Sequence, residues 1–450
     1  MLRRHDVVLT GSLSPGKDGD RLTDPTVVRR LYTRFRAQTL TGLTLVYAFF
    51  YTTRSVLDVV KKPLINAGIY DTDELGTIGA CLLGAYAVGK LVNGFIADRV
   101  MASRFLAIGL LVSALANVAM GMNTGFYMAC ALWTVNGYFQ GVGAAASVKS
   151  LTHWFSGRER GRVYGIWSAA HSLGEGATLT ATAGLVVLLG WRAGFLAPGF
   201  ACILVAAAAL FVLKDRPQVY GLPEVHDWKG EPHTDTIAST RAAQFDVLKN
   251  PAIWVCAVSS ALMYVTRYGV KSWGVLYLQD ERGFSLLGAG GFLFVNTVSG
   301  FFGSIAYGFV SDVLFKGRRP PATLLFGALE VAALFVLFYG PHNDWILMGA
   351  IFVYGFTLSG ILAVLGGLFA VDMSSKKAAG MAMGFIGFIS YLGAVIQEKL
   401  SGALLKAHTV LLPDGTKHID DFSQPIALWI GGSIASMLLA ATLWRVKARE

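Results

Sequence analysis

Continuous apolar runs, each closed by a short polar or basic stretch, recur along almost the whole chain. Twelve can be drawn. Six lie near residues 38–58, 74–97, 104–122, 125–147, 161–188 and 193–213. Six more lie near 251–279, 284–313, 321–340, 345–371, 378–405 and 425–444. A helix rises 1.5 Å per residue, so about 20 apolar residues cross a hydrocarbon core of roughly 30 Å. A membrane barrel would instead show alternating segments of about 10 residues. The runs do not alternate. The pattern predicts an all-α polytopic membrane protein of twelve transmembrane helices in two six-helix bundles.

The polar intervals divide the chain into four parts: a tail over 1–36, a first bundle over 37–213, a linker over 214–250 and a second bundle over 251–450. The tail is polar and basic, without the short apolar core of a signal peptide, and reads as disordered. The linker, KDRPQVYGLPEVHDWKGEPHTDTIASTRAAQ, is rich in Pro, Gly and charge. Composition agrees with the pattern: 54% of residues are hydrophobic and 15% charged, where soluble domains carry about 25%.

A net charge of +10 raises the possibility of nucleic-acid binding, but the basic residues sit in short loops between apolar runs. RRLYTRFR, DRVMASR, SGRERGR, FKGRRPP, SSKK and RVKARE all fall on one side of the twelve-span pattern. By the positive-inside rule that side, with both termini, is cytoplasmic. The expected location is the cell's inner membrane. DVVKKP, after the first run, goes against the rule. Cys81, Cys130, Cys202 and Cys256 lie in apolar runs and read as small core residues. No cofactor is implied, and no Walker, HExxH or nucleophile-elbow motif suggests an enzyme.

The two bundles repeat one another. Tyr51–Arg54 reads YTTR and Tyr264–Arg267 reads YVTR, 213 residues apart. Gly94–Asp98 reads GFIAD and Gly308–Asp312 reads GFVSD, 214 apart. GIWSAAHSLG from Gly165 matches GFIGFISYLG from Gly384 at an offset of 219. Each bundle therefore begins with a helix carrying one arginine. A charge at membrane depth costs several kcal/mol unless it lines a watered cavity or has a partner. Transporters built from two such bundles bind substrate at the midplane between them. Arg54 and Arg267 are thus expected to face a shared cavity. With no carboxylate at matching depth in both halves, the expected partner is a mobile anion. The guanidinium fork suits phosphate.

Other polar residues fall near this depth. Lys90 either adds positive field to the cavity or extends to the interface. His171 can donate to a phosphate and titrates near neutrality. Lys271 follows Arg267 by one turn. Tyr51, Tyr264 and Tyr268 are candidate donors. Lys399 either reaches a substrate hydroxyl or neutralises Glu398. Asp98, Arg99 and Asp312, at the ends of runs 2 and 8, are candidate gate residues. The pattern does not assign Lys149 and Glu175.

YTTR, GKLVNGFIADR, NGYFQGVG, RERGRVYGIWSAAHSLGEG, DRPQVYGLP, YVTRYGVKSWGVLYL and SSKKAAGMAMGFIGFISYLG together resemble the organophosphate:phosphate antiporters of the major facilitator superfamily. The resemblance covers nearly all of the chain after the tail. It implies exchange of a sugar phosphate or glycerol 3-phosphate for inorganic phosphate, without ATP, by a monomer. Arg54 and Arg267 would bind phosphate, with His171 and Lys90 as the cavity histidine and lysine. The family also includes a sensor of external sugar phosphate that signals to a membrane histidine kinase. The chain departs from the family pattern at Ser55, where a lysine is common, and at Ser272, where an acid is common. Carriage of a different anion, such as a dicarboxylate, would keep the arginines without explaining the motifs.

Overall fold

The computed structural model describes residues 18–230, 241–316, 318–369, 373–374 and 379–445. Twelve long helices dominate. In the first half they are α1 (Pro25–Asn66), α2 (Thr72–Ala97), α3 (Ala102–Met122), α4 (Phe126–Trp154), α5 (Gly157–Leu189) and α6 (Trp191–Val212). In the second they are α7 (Pro251–Asp280), α8 (Leu286–Phe309), α9 (Arg319–Tyr339), α10 (Asp344–Ala363), α11 (Ala379–Lys406) and α12 (Ser423–Thr442). Among the described residues, ten helices are long and apolar enough to cross a membrane. The other two of the twelve, α4 and α5, are as long but richer in polar positions.

Asp18 and Arg445, where the described chain begins and ends, lie at one end of the bundle, here the terminal end. The opposite end is the distal end. Within the first half α2 packs on α4, α3 on α6 and α1 on α5. Within the second, α8 packs on α10 and α7 on both α11 and α12. Between the halves α2 meets α11 and α5 meets α8. These two contacts exchange under the internal repeat. At the α2–α11 seam a Cβ on Gly76 would lie 3.1 Å from the Gly402 Cα, so the two backbones touch there.

The first helix begins earlier than its apolar run. Asp24 caps it, accepting from the Thr26 amide at 2.8 Å, and Pro25 takes the first position, where its missing N–H is not needed. Residues 25–36, read as tail, are therefore the first three turns of α1. They are held by the linker. Tyr32 stacks on Trp228 with centroids 4.1 Å apart and donates to the Pro223 carbonyl at 2.7 Å. Glu159 of α5 accepts from Arg36 at 2.5 Å and Lys229 at 3.0 Å. The linker itself forms helical turns at Val225–Lys229 and Arg241–Lys249. A small hairpin, Thr409–Leu411 paired with Lys417–Ile419, joins α11 to α12 at the distal end and was not foreseen. All four cysteines are free.

Candidate functional site

Arg54 sits on the α1 face turned toward the second half and is buried. Its Nη2 donates to the Tyr268 hydroxyl at 2.7 Å and to the Tyr391 hydroxyl at 3.3 Å. Its guanidinium also lies 4.2 Å from the Tyr86 ring centroid and 5.7 Å from that of Tyr51. The pair of tyrosines it bonds belongs to α7 and α11, so this arginine reaches across the halves. Cation–π contact and neutral hydroxyl acceptors hold the charge without neutralising it.

Arg267 occupies the equivalent place on α7. Its guanidinium lies 5.4 Å from the Tyr264 ring and 5.6 Å from the Tyr268 ring. Tyr264 and Tyr391 pack edge to face at 5.2 Å, and Tyr86 and Tyr391 lie tilted at 4.7 Å. The two arginines thus flank one cluster of tyrosines between the bundles. Lys90 of α2 is exposed, with its Nζ 5.9 Å from the Tyr391 ring, at the edge of the same cluster. Of the residues predicted from sequence, Arg54, Arg267, Tyr51, Tyr264, Tyr268 and Lys90 come together. His171 lies on α5, and its side chain is outside the described residues.

A second polar cluster lies on the distal side of Arg54. Lys61 Nζ is 2.8 Å from Glu398 Oε1 and 2.6 Å from Ser272 Oγ, and sits 3.5 Å over the Trp273 ring. Ser272 Oγ is 2.6 Å from Glu398 Oε1 and 3.0 Å from Asp58 Oδ1. Lys271 pairs with Glu175 of α5 at 2.9 Å, across the halves. Between the two clusters lies a cavity of about 30 Å³, lined among others by Arg54, Asp58, Lys271, Ser272 and Glu398. Sequence reading missed Lys61, Asp58, Tyr86 and Tyr391.

Lys399 does neither of the things expected of it. It points away from the tyrosines and pairs at the distal end with Asp73, at 2.5 Å, and Thr77, at 2.9 Å. Glu398 is neutralised by Lys61 instead. Lys406–Asp71, at 2.7 Å, and Lys62–Asp280 add further ion pairs between halves. These all lie distal to Arg54, so the distal end is shut. The lysines of the DVVKKP loop, exceptions to the charge rule, are the α1 side of that closure.

The predicted gate residues lie at the terminal end and engage their own halves. Asp98 caps α2, and Arg99 donates to the Phe95 carbonyl at 2.8 Å. Asp312 lies in a π turn at Val310–Leu314 and meets Arg319 at 3.4 Å. Lys149 donates to the Ala97 and Val100 carbonyls, placing a cation at the C-terminus of α2.

Residues 43–397 match the family model described as Major Facilitator Superfamily. The chain belongs to that superfamily. It is 33% identical over 406 residues to a probable hexose phosphate transport protein of Chlamydia pneumoniae, covering 86% of this chain and 89% of that one. It is 32% identical over 382 residues to the membrane sensor protein UhpC of Salmonella typhimurium, covering 83% and 86%. Its fold superposes on a bacterial homologue of the human lysosomal transporter Spinster, crystallised inward-facing and unoccupied, with a TM-score of 0.71 at 16% identity. That match covers 92% of this chain and 95% of the other. In this superfamily protein the repeat read from YTTR and YVTR is the relation between the two bundles.

Proposed function

We propose that this superfamily member is a secondary transporter that exchanges an organic phosphate for inorganic phosphate by alternating access. The organic phosphate is a sugar phosphate or glycerol 3-phosphate. One observation carries the reading: Arg54 and Arg267, at equivalent positions of the repeat, flank one tyrosine cluster between the bundles. Phosphate takes several bonds from two guanidiniums at once, while the tyrosine hydroxyls keep Arg54 oriented without neutralising it. Lys90 adds positive field at the edge of the site, and His171 supplies a further donor. Asp98, Arg99 and Asp312 close the terminal end when the distal end opens. The relatives named as hexose phosphate carriers support the organic phosphate.

The empty carrier would hold two guanidinium charges together on closing with no anion between them, which resists reorientation and makes exchange obligatory. With both termini cytoplasmic in the inner membrane, the state described here opens inward. A monomer suffices, because both arginines come from one chain.

The test is uptake of labelled phosphate into proteoliposomes preloaded with phosphate, with glucose 6-phosphate and glycerol 3-phosphate as competitors. Wild type exchanges, and Arg54→Lys or Arg267→Lys abolishes exchange. Fast uptake without internal phosphate contradicts the reading. The similarity to UhpC favours a second reading, a sensor that binds sugar phosphate and signals to a membrane histidine kinase. Retained sugar-phosphate binding with no exchange would select it.

A further inference from the structure

We propose that Asp58 is a proton-binding site and that closing the distal end takes up one proton there. The contacts around Ser272 need one hydrogen more than Lys61 and Ser272 supply. Lys61 has three N–H bonds. They are directed to Glu398 Oε1 at 2.8 Å, to Ser272 Oγ at 2.6 Å and to the face of Trp273, whose centroid is 3.5 Å away. None remains for Asp58. Ser272 has one O–H, yet its oxygen contacts two carboxylates, Glu398 Oε1 at 2.6 Å and Asp58 Oδ1 at 3.0 Å. One hydrogen serves one of them. The shorter contact, to an oxygen already held by Lys61, takes it. The other contact would set lone pairs against lone pairs at 3.0 Å unless Asp58 supplies the hydrogen. A protonated Asp58 donating to Ser272 Oγ completes the set.

The charged groups facing Asp58 are engaged with other partners. Arg54, on its own helix, turns its guanidinium to Tyr268, Tyr391 and Tyr86. Lys271 of α7 is paired with Glu175 of α5. Glu398 of α11 is paired with Lys61. The lining from α2 and α4 is uncharged: Gly79, Leu82, Leu83 and Trp133. When the distal end opens, Asp58 and Lys61 stay together on α1 while Ser272 and Glu398 leave on α7 and α11. Lys61 then has its donors free, one turn from Asp58, and the carboxyl gives its proton to water. The closed state binds one proton more than the open state, so acid favours closure.

The experiment places spin labels at Tyr127→Cys and Trp345→Cys, exposed distal positions of the two halves, after replacing the four native cysteines by serine. The closed-to-open ratio of the full chain is read against pH. One released proton makes that ratio fall up to about tenfold per pH unit. Asp58→Asn, which keeps a donor without a titration, is expected to stay closed with no slope. A wild type without slope, or an Asp58→Asn slope equal to wild type, overturns the site. Infrared spectra with isotope-labelled aspartate give a reading that needs no variant. A protonated aspartic C=O band at neutral pH is expected, and its absence overturns the proposal.

Discussion

The hydroxyl of Tyr268 lies 2.7 Å from Nη2 of Arg54, joining the seventh helix to the first across the interface between bundles. The acceptor is neutral, so the arginine keeps its charge while meeting its need for a partner. That is the condition a phosphate site requires before its ligand arrives. Removing the hydroxyl leaves Arg54 charged but less well held. A lost hydrogen bond to a charged group costs about 1.5–3 kcal/mol. Tyr268→Phe is expected to weaken half-saturation for phosphate roughly ten-fold or more while leaving exchange detectable. The check is counterflow measured over a range of phosphate concentrations, with Arg54→Lys as the null exchanger.

Lys61 and Glu398 are both about 1% exposed, and among the described residues each is the other's only opposite charge at hydrogen-bond distance. Breaking a buried pair strands a charge, at about 3–5 kcal/mol, whereas removing both members is far less costly. Lys61→Met and Glu398→Gln are each expected to lower the melting temperature of the purified protein more than the double variant does. The measurement is thermal unfolding in detergent for the four members of the cycle. Equal, additive losses would show that the two residues do not act as a pair.

How much of this was legible follows from what each residue needed. Arg54 and Arg267 could be read because a charge in an apolar run is costly, and because the same motif came twice. Tyr391 and Tyr86 carry no such mark, since a tyrosine in a membrane helix packs well wherever it falls. Lys61 was visible only as a basic residue in the wrong loop, and Glu398 only as an acid in an apolar run. Each anomaly had the other as its explanation, but 337 residues separate them and no local pattern links them. Ser55 and Ser272 looked like lost charges. Ser272 proves to be the hydroxyl between Lys61, Glu398 and Asp58. The start of α1 was missed because polar residues there face the linker and not lipid.

Gly79 allows Glu398 to reach Lys61. A Cβ placed on it would lie 2.6 Å from Glu398 Oε1 and 2.7 Å from Cγ, closer than atoms can pack. Gly79→Ala is therefore expected to push Glu398 off Lys61 and loosen the distal closure. Gly94 on the same helix has nothing within 4 Å of such a Cβ. Gly94→Ala controls for helix propensity, which alanine improves by about 1 kcal/mol. Spin-label distances across the distal end should lengthen in the first variant and not in the second.

Acid acts on the same closure through a second carboxylate, with the opposite sign. Asp71 caps α2, accepting from the Glu74 amide at 2.9 Å, and pairs with Lys406 across the halves at 2.7 Å. Burial alone would raise its pKa, but the Lys406 ammonium and the Glu74 amide outweigh it and hold the carboxyl below its usual range. A depressed carboxylate contributes stability that is complete above its ordinary value, about pH 3.9, and is lost as pH falls through the folded value. Both partners are substantially solvated, so the pair itself contributes less than about 1 kcal/mol. Asp71→Asn keeps a good cap and loses the pair, so its melting temperature should drop slightly at pH 6 and converge with wild type in stronger acid. Asp71→Ala loses the cap as well and should cost about 1 kcal/mol more. Parallel melting curves for wild type and Asp71→Asn from pH 6 down to about 3 would remove Lys406–Asp71 from the closure and leave it to the buried pairs near Asp58.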